Sequence, residues 1–89
     1  MAYIISYIPI ASAQRNEQLI DRIKRFEKWA VLGSSTFIVL QEGVTTITIR
    51  DELKQLISSQ DKIFVAELSG NAAWRGFNEG MSQWFKNNL

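Results

Sequence analysis

The stretch Tyr3-Ile4-Ile5-Ser6-Tyr7-Ile8-Pro9-Ile10 decides the fold of this chain. It is rich in β-branched and aromatic side chains, which pack well on the pleated surface of a strand. Successive side chains point to opposite faces, and Ser6 is the only polar residue that interrupts the apolar character of either face. Both faces are therefore expected to be covered, as in a central strand. Pro9 marks the end of the strand, because proline has no N–H to donate to a neighbouring strand.

The composition describes one small globular domain over residues 1–89, with 46% hydrophobic and 21% charged side chains. The formal net charge of +1 produces no field over the whole molecule that would mark a nucleic-acid-binding protein. The N-terminus lacks a secretory signal pattern, and no apolar run approaches the roughly 20 residues of a membrane-spanning helix. The sequence therefore predicts a cytoplasmic protein with no membrane partner.

The sequence contains no cysteine and no histidine. It offers no disulfide and no thiolate metal site, and it lacks the commonest general base near neutral pH. Catalysis would need carboxylates, lysine, tyrosine or a hydroxyl group, together with a hard cation such as magnesium bound through oxygen. We therefore expect no cofactor, and magnesium would enter only if the protein were a nuclease.

The rest of the chain alternates between helical and strand patterns, and Gly33 interrupts two neighbouring β-prone runs as in a hairpin or a bulge. The predicted elements are a helix over 16–28 with Asn16 as its N-cap, strands over 29–32 and 36–40, a helix that begins between Thr45 and Thr48 and ends near Ser58, a strand over 62–68, and a short helix over 78–87 within a C-terminal tail of residues 72–89. This order predicts a ferredoxin-like βαββαβ domain of the α+β class, with two helices on one face of a four-stranded antiparallel sheet.

Such an arrangement leaves the second face of the sheet open, although the central strands are apolar on both sides. An uncovered apolar face of this size is an interaction surface. Trp74, Phe77, Trp84 and Phe85 in the tail could cover part of it, and a second copy of the chain could cover the rest. We therefore predict a homodimer that forms through sheet faces or edges. Arg75, between two of these aromatics, could stack on a nucleobase or cover an aromatic ring.

Five segments of the sequence carry a resemblance to known proteins. They are Tyr3–Tyr7, Ser35–Val39, Ile49–Leu53, Asp61–Ala66 and the tail from Ala72 to Leu89. These segments resemble the small bacterial and phage proteins labelled the SinR family, which are similar in turn to CRISPR-associated protein 2, the small adaptation protein. The resemblance implies a ferredoxin-like homodimer that acts as a magnesium-dependent nuclease, or as a scaffold for the integrase that inserts new spacers.

The resemblance also implies a metal-binding aspartate at the end of the first strand, directly after a tyrosine. Two such carboxylates, one from each copy, could share a hard cation and orient a phosphodiester. Here Tyr7 is present, but Ile8 stands where the aspartate is expected, and an isoleucine cannot ligate a cation. The sequence therefore predicts no catalytic residue and no metal ligand, and a nuclease would have to use other groups.

Two groups of polar residues are candidates for contact with phosphate. The candidate polar site near the strand end consists of Ser6, Tyr7, Ser12, Ser34 and Ser35. Its serines can equally be turn or cap residues. The candidate basic face on the first helix consists of Arg15, Arg22 and Arg25. Salt bridges with the acidic residues of the same helix are the alternative for that face.

Three functions from different classes remain open. The first is a non-catalytic dimeric adaptor, related to the CRISPR adaptation scaffold, that binds nucleic acid or a partner protein. The second is a small magnesium-dependent endonuclease, and the third is a toxin–antitoxin-like component that works through protein contacts alone. Ile8 favours the first and the third. The near-neutral charge argues against tight binding of nucleic acid, because phosphate contacts supply most of that affinity. We therefore expect an interaction module that is not an enzyme.

Overall fold

A computed structural model of the chain describes residues 1–10 and 16–89. The described strands are β1 (Ala2–Ile8), β2 (Lys28–Val31), β3 (Thr36–Leu40) and β4 (Lys62–Leu68). The described α-helices are α1 (Glu17–Ile23), α2 (Thr46–Leu53) and α3 (Glu79–Asn88), and a short 3₁₀ helix, Lys54–Leu56, continues α2. Two residues of the predicted sites, Ser12 and Arg15, lie outside the described residues.

The strands form one antiparallel sheet in the order β2-β3-β1-β4. β1 lies between two neighbours, so that Tyr3 is opposite Val39 on β3 and Glu67 on β4. The prediction that the opening stretch forms a central strand is therefore confirmed. The α+β class and the four-stranded antiparallel sheet are confirmed as well.

The main core lies on the face of the sheet that carries Tyr3, Ile5 and Tyr7, which we call the core face. These three side chains are buried. They form one apolar cluster with residues of β3, α1, the turn after α1, and α2, namely Phe37, Val39, Leu19, Ile20, Ile23, Phe26, Ile49 and Leu53. The opposite face, which carries Ile4, Ser6 and Ile8, is called the second face.

The first helix begins where the sequence predicts and ends earlier. Asn16 is its N-cap and accepts a hydrogen bond from Leu19 N at 2.9 Å, as asparagine commonly does. Beyond Ile23 the chain tightens, because Arg25 N and Phe26 N donate to carbonyl groups only three residues back. This turn brings Phe26 into the core and lets β2 begin at residue 28.

The second helix begins within the predicted range and is capped by Thr45. Thr48 N donates to Thr45 Oγ1 at 3.1 Å, and Thr45 N donates to Thr48 Oγ1 at 2.8 Å. This reciprocal pair satisfies two backbone donors at the start of α2. No helix formed by residues 1–10 and 16–89 has the length and apolar character needed to cross a bilayer.

Candidate interaction surface

The second face of the sheet is covered over β2 and β3 and uncovered towards β4. Ala30 and Ile38 are opposite each other on β2 and β3, and each is only 4% exposed. On the same face, Ile8 is 46% exposed and Phe64 is 62% exposed. One part of this face is therefore buried within the chain, while the other presents large apolar side chains.

An aromatic cluster forms within the tail. Phe85 of α3 is buried, and the rings of Trp74, Phe77 and Trp84 surround it at centroid distances of 4.9, 5.1 and 6.1 Å. The last two pairs meet edge to face, an arrangement that aromatic rings favour. These three residues were predicted as contacts of the tail or of a partner. In the structure each of them contacts Phe85 of the same chain.

The end of α3 is attached to β2. Lys28 Nζ donates to Asn88 Oδ1 at 3.1 Å. Phe85, Ala30 and Ile38 are all buried but do not belong to the cluster beneath α1 and α2. Apolar side chains of the tail and of the β2–β3 half of the sheet are therefore buried outside the main core. Arg75, the remaining predicted tail contact, is exposed.

The uncovered part of the second face carries an apolar patch formed by Ile8 and Phe64. Ile8 is opposite Lys62 and Ser6 is opposite Phe64 in the β1–β4 pair. Ile8 and Phe64 are therefore diagonal neighbours, a separation that an aromatic side chain can bridge. Fully burying one such side chain is worth about 1.5–3 kcal/mol, so this patch favours association with another apolar surface.

The direction of the backbone groups in β1 follows from one hydrogen bond at its end. Tyr7 N donates to Ser35 O, just before β3, at 2.9 Å. Consecutive residues of a strand direct their N–H and C=O groups to opposite sides. The backbone groups of Ser6 therefore face β4, where the residue opposite is Phe64.

The outer edge of β4 consequently presents the backbone groups of alternate residues. Because Phe64 directs its groups toward β1, the N–H and C=O groups of Ile63, Val65 and Glu67 point away from the sheet. β4 is the last strand in the sheet order, and within residues 1–10 and 16–89 no further strand pairs with it. A strand edge of this kind is a template for pairing with another chain.

A groove of about 510 Å³ lies beside the start of this edge, between the end of α2 and β4. Ile57 and Ile63 provide apolar lining, and Arg50 and Lys54 carry positive charge. Arg50 Nη2 and Lys54 Nζ lie 2.8 and 3.5 Å from the same atom, Asp51 Oδ1. The hydrogen bond from Arg50 lowers the pKa of Asp51 and keeps that carboxylate ionised. Two cations therefore share one anion on the α2 side of the groove.

The end of β1 is held by a carboxylate that is distant in sequence. Tyr7 Oη donates to Asp61 Oδ2 at 3.0 Å, and the backbone N–H groups of Ile10 and Ser58 donate to Asp61 at 2.8 and 3.2 Å. Burial, and then the hydrogen bond with Asp61, raises the pKa of Tyr7. Asp61 therefore ties the end of β1 to the turn before β4.

The candidate polar site is divided between different parts of the structure. Tyr7 is buried on the core face, whereas Ser6 is half-buried on the second face. The carbonyl group of Ser35 accepts a hydrogen bond from Tyr7 N, and Ser34 is exposed in the β2–β3 connection. In the described part of the chain, no three histidine, cysteine, aspartate or glutamate side chains form a group that could hold a metal ion.

In the candidate basic face, Arg22 makes contacts within its own chain. Its guanidinium group bonds Glu52, with the closest contact at 2.6 Å from Nη2 to Oε2, and it lies 4.8 Å from the ring centroid of Phe26. Arg25 is exposed in the turn after α1. Arg22 therefore joins α1 to α2, through an acidic residue of the other helix and not of its own.

Comparisons with protein-family models, with curated proteins and with solved structures find no significant match to this chain. The surface is therefore interpreted from its own geometry.

Sequence reasoning did not single out the residues that define this surface. Phe64 and the outward-facing residues of β4 belong to a segment that was predicted only as a strand. The alternation of exposed and half-buried residues over 62–65 depends on the position of β4 at the sheet edge. The large apolar side chain of Phe64 was the one feature of the sequence that could have indicated this surface.

Proposed function

We propose that this protein is a small ferredoxin-like interaction module that works as a homodimer and binds a partner protein or nucleic acid. The strand order supports the ferredoxin-like assignment, because β3 lies between β1 and β2 and so splits the first β-α-β unit. The core supports it too, because apolar residues of α1 and α2 meet on one face of the sheet.

The exposed patch of Ile8 and Phe64 is the observation that carries the proposed function. Phe64 is the most exposed large apolar side chain among the described residues, at 62%. It stands on the second face of the sheet, where Ile8 is also exposed, at 46%. A second copy would bring a second such patch, so that one symmetric contact would remove apolar surface of both copies from water.

The proposed role is binding without metal-dependent cleavage. Ile8 occupies the position where the resemblance to the CRISPR adaptation protein implies a metal-binding aspartate. The carboxylate closest to Tyr7 in the structure, Asp61, accepts hydrogen bonds from Tyr7 and from two backbone N–H groups. Through these bonds Asp61 stabilises the end of β1. This structural role supports a function as a scaffold or adaptor more than a function as a nuclease.

Light scattering after size-exclusion chromatography tests the dimer. We expect the wild-type protein to have twice the 10.2 kDa mass of one chain. Phe64→Ser should raise the dimer dissociation constant about tenfold or more, because each copy loses much of its apolar contact. Ile47→Ser is the matched control, since Ile47 is 59% exposed on α2 and lies away from the patch. A wild-type monomer at every concentration would contradict the proposal.

A cleavage assay with magnesium on RNA and on duplex DNA tests the absence of nuclease activity. We expect neither the repurified wild-type protein nor the Ser34→Ala variant to cleave either substrate. Salt-dependent binding without cleavage would identify nucleic acid as the partner. Cleavage that persists through repurification and disappears in Tyr7→Phe would contradict a purely binding role.

A further inference from the structure

We propose that the second copy joins along β4, in an antiparallel β4–β4 pair with Val65 opposite Val65 of the partner subunit. The inference rests on the proposed homodimer and adds its interface and register. The pair would extend the sheet of one subunit into that of the other about a two-fold axis perpendicular to the sheet.

The hydrogen-bonding groups of the edge select this register. A two-fold axis perpendicular to the sheet preserves its faces, so that each residue must be opposite one that points to the same face. Centred on Val65, the pairing puts Ile63 opposite the partner's Glu67. Ile63, Val65 and Glu67 direct their backbone N–H and C=O groups away from the sheet. In this register each of them is opposite a partner residue that also directs its backbone groups outward, as hydrogen-bonded pairs require.

A shift of the centre by one residue, to Phe64, satisfies fewer of these groups. Ile63 would then be opposite the partner's Val65, and Glu67 would be opposite the partner's Asp61, which precedes β4. The outward-facing groups of Glu67 would then lack a strand residue opposite them. Since unpaired backbone groups at an interface reduce its stability, the Val65-centred register is favoured.

Charge complementarity favours the same register. Glu67 lies on the core face of the sheet, as does Ile63, because both are an even number of residues from Val65. The partner's Glu67 would therefore approach Ile63 on the side of the groove, where Arg50 and Lys54 share the single carboxylate of Asp51. Its carboxylate would approach these two cations in a groove whose lining also includes Asp61, a carboxylate hydrogen-bonded to Tyr7, Ile10 and Ser58.

The apolar residues of the second face also fit this arrangement. Phe64 would be opposite the partner's Ala66, whose small side chain leaves room for an aromatic ring. Opposed residues in such a non-hydrogen-bonded pair approach closely, with Cα atoms about 4.5 Å apart. The exposed Phe64 of each subunit would thus be partly covered, while no two like charges are opposite each other.

Single cysteine variants test the register, because the native chain has no cysteine. In Val65→Cys the two Cα atoms would be about 5.5 Å apart across the axis, within the range of a disulfide. In Phe64→Cys the corresponding residues would be offset along the strands beyond the roughly 7 Å that a disulfide tolerates. Under mild oxidation, at a concentration where light scattering shows both variants to be dimers, we expect Val65→Cys to form a covalent dimer and Phe64→Cys to remain as single chains on a non-reducing gel.

The possible results separate the two proposals. A monomer by light scattering would contradict both the homodimer and its register. A dimer in which Val65→Cys does not cross-link would overturn the β4–β4 pairing and leave a dimer through the sheet faces. Preferential cross-linking of Phe64→Cys would overturn the register.

A charge-reversal cycle provides a second measurement on exposed residues. Lys54→Glu and Glu67→Lys should each raise the dimer dissociation constant about three- to tenfold, since the symmetric dimer contains each contact twice. The double variant should recover most of this loss, which is the signature of a direct pair. Lys86→Glu on α3 is the control, with no expected change. A double variant that is weaker than either single variant would contradict the contact.

Discussion

At the scale of single residues, Asp61 stabilises the end of β1. One oxygen accepts from Tyr7 Oη at 3.0 Å and the other from Ile10 N at 2.8 Å, while Ser58 N contributes a further bond at 3.2 Å. Hydrogen bonds to a charged group are worth about 1.5–3 kcal/mol, roughly twice those between neutral groups. Removing the carboxylate affects several donors at once, whereas removing the tyrosine hydroxyl affects one.

Asp61→Ala should therefore lower the free energy of unfolding by about 1.5–3 kcal/mol or more, and Tyr7→Phe by less, because Tyr7→Phe leaves the two backbone donors on the carboxylate. Urea denaturation followed by circular dichroism at neutral pH measures both. Ser59→Ala, an exposed substitution in the same groove, should stay within about 0.5 kcal/mol of the wild type. A Tyr7→Phe variant as unstable as Asp61→Ala would contradict the central role of the carboxylate.

The buried tyrosines of β1 predict the response of stability to alkaline pH. Burial raises the pKa of Tyr3 and Tyr7 above the ordinary value of 10.0, with the charge of Glu67 adding to the shift of Tyr3 and the bond to Asp61 adding to that of Tyr7. Above pH 10 the unfolded chain loses these protons before the folded chain does. Stability should thus be complete below about pH 10 and fall as pH rises through the folded-state pKa values.

Urea midpoints between pH 8 and pH 12 test this response, and absorbance of tyrosinate in the native protein reports the titration directly. Tyr7→Phe should make the alkaline decrease shallower, because it removes one of the two shifted groups. An undiminished slope in this variant would show that other groups cause the decrease.

Sequence reasoning reached part of this arrangement. Tyr7 was identified as a candidate, and the isoleucine after it was visible at once. No sequence pattern marks Asp61 as the partner of Tyr7, because their contact spans 54 residues. A contact of this range depends on how the strands assemble, and no local pattern of residues indicates it.

At the scale of elements, α3 and the aromatic cluster around Phe85 form a unit separate from the main core. Phe85→Ala should release the tail, because three aromatic rings lose the side chain that they surround. Replacing a buried phenylalanine by alanine typically costs about 3–5 kcal/mol. Hydrogen exchange should show amides of α3 losing protection while those of β1 stay protected, since the core beneath α1 and α2 is untouched.

Phe77→Ala is the control for this prediction, because Phe77 is partly exposed at 37% and contacts Phe85 from one side only. Its effect on α3 should be smaller. Equal loss of protection in β1 and α3 after Phe85→Ala would show instead that the tail and the core unfold together.

The elements themselves were largely predictable. The range predicted for β3 and β4 agrees with the structure, because both are compact runs of β-prone residues bounded by polar turns. The end of α1 could not be predicted from the sequence, since residues 24–28 contain neither glycine nor proline and continue the helical pattern. Phe26 is buried as its spacing predicts, but it reaches the core from a turn. Tertiary packing here overrides the local helical preference.

At the scale of the whole molecule, the sheet is covered unequally. Its core face packs against α1 and α2, and the second face is buried at Ala30 and Ile38 but not at Ile8 and Phe64. The uncovered part adjoins the strand edge of β4. The apolar patch and an edge of β4 that pairs with no other described strand form a continuous surface, so that one partner can engage both. This juxtaposition underlies the proposed dimer.

Dimerisation of this kind makes stability depend on protein concentration. Because only folded chains associate, each tenfold increase in concentration above the dissociation constant should stabilise the dimer by about 1.4 kcal/mol. The urea midpoint of the wild type should therefore rise with concentration between the low micromolar and the submillimolar range. Phe64→Ser should flatten this dependence, because it weakens the contact without removing a buried core residue, and Ile47→Ser should retain it. A wild-type midpoint that is independent of concentration across this range would mean that the exposed patch and the outer edge of β4 do not hold two copies together.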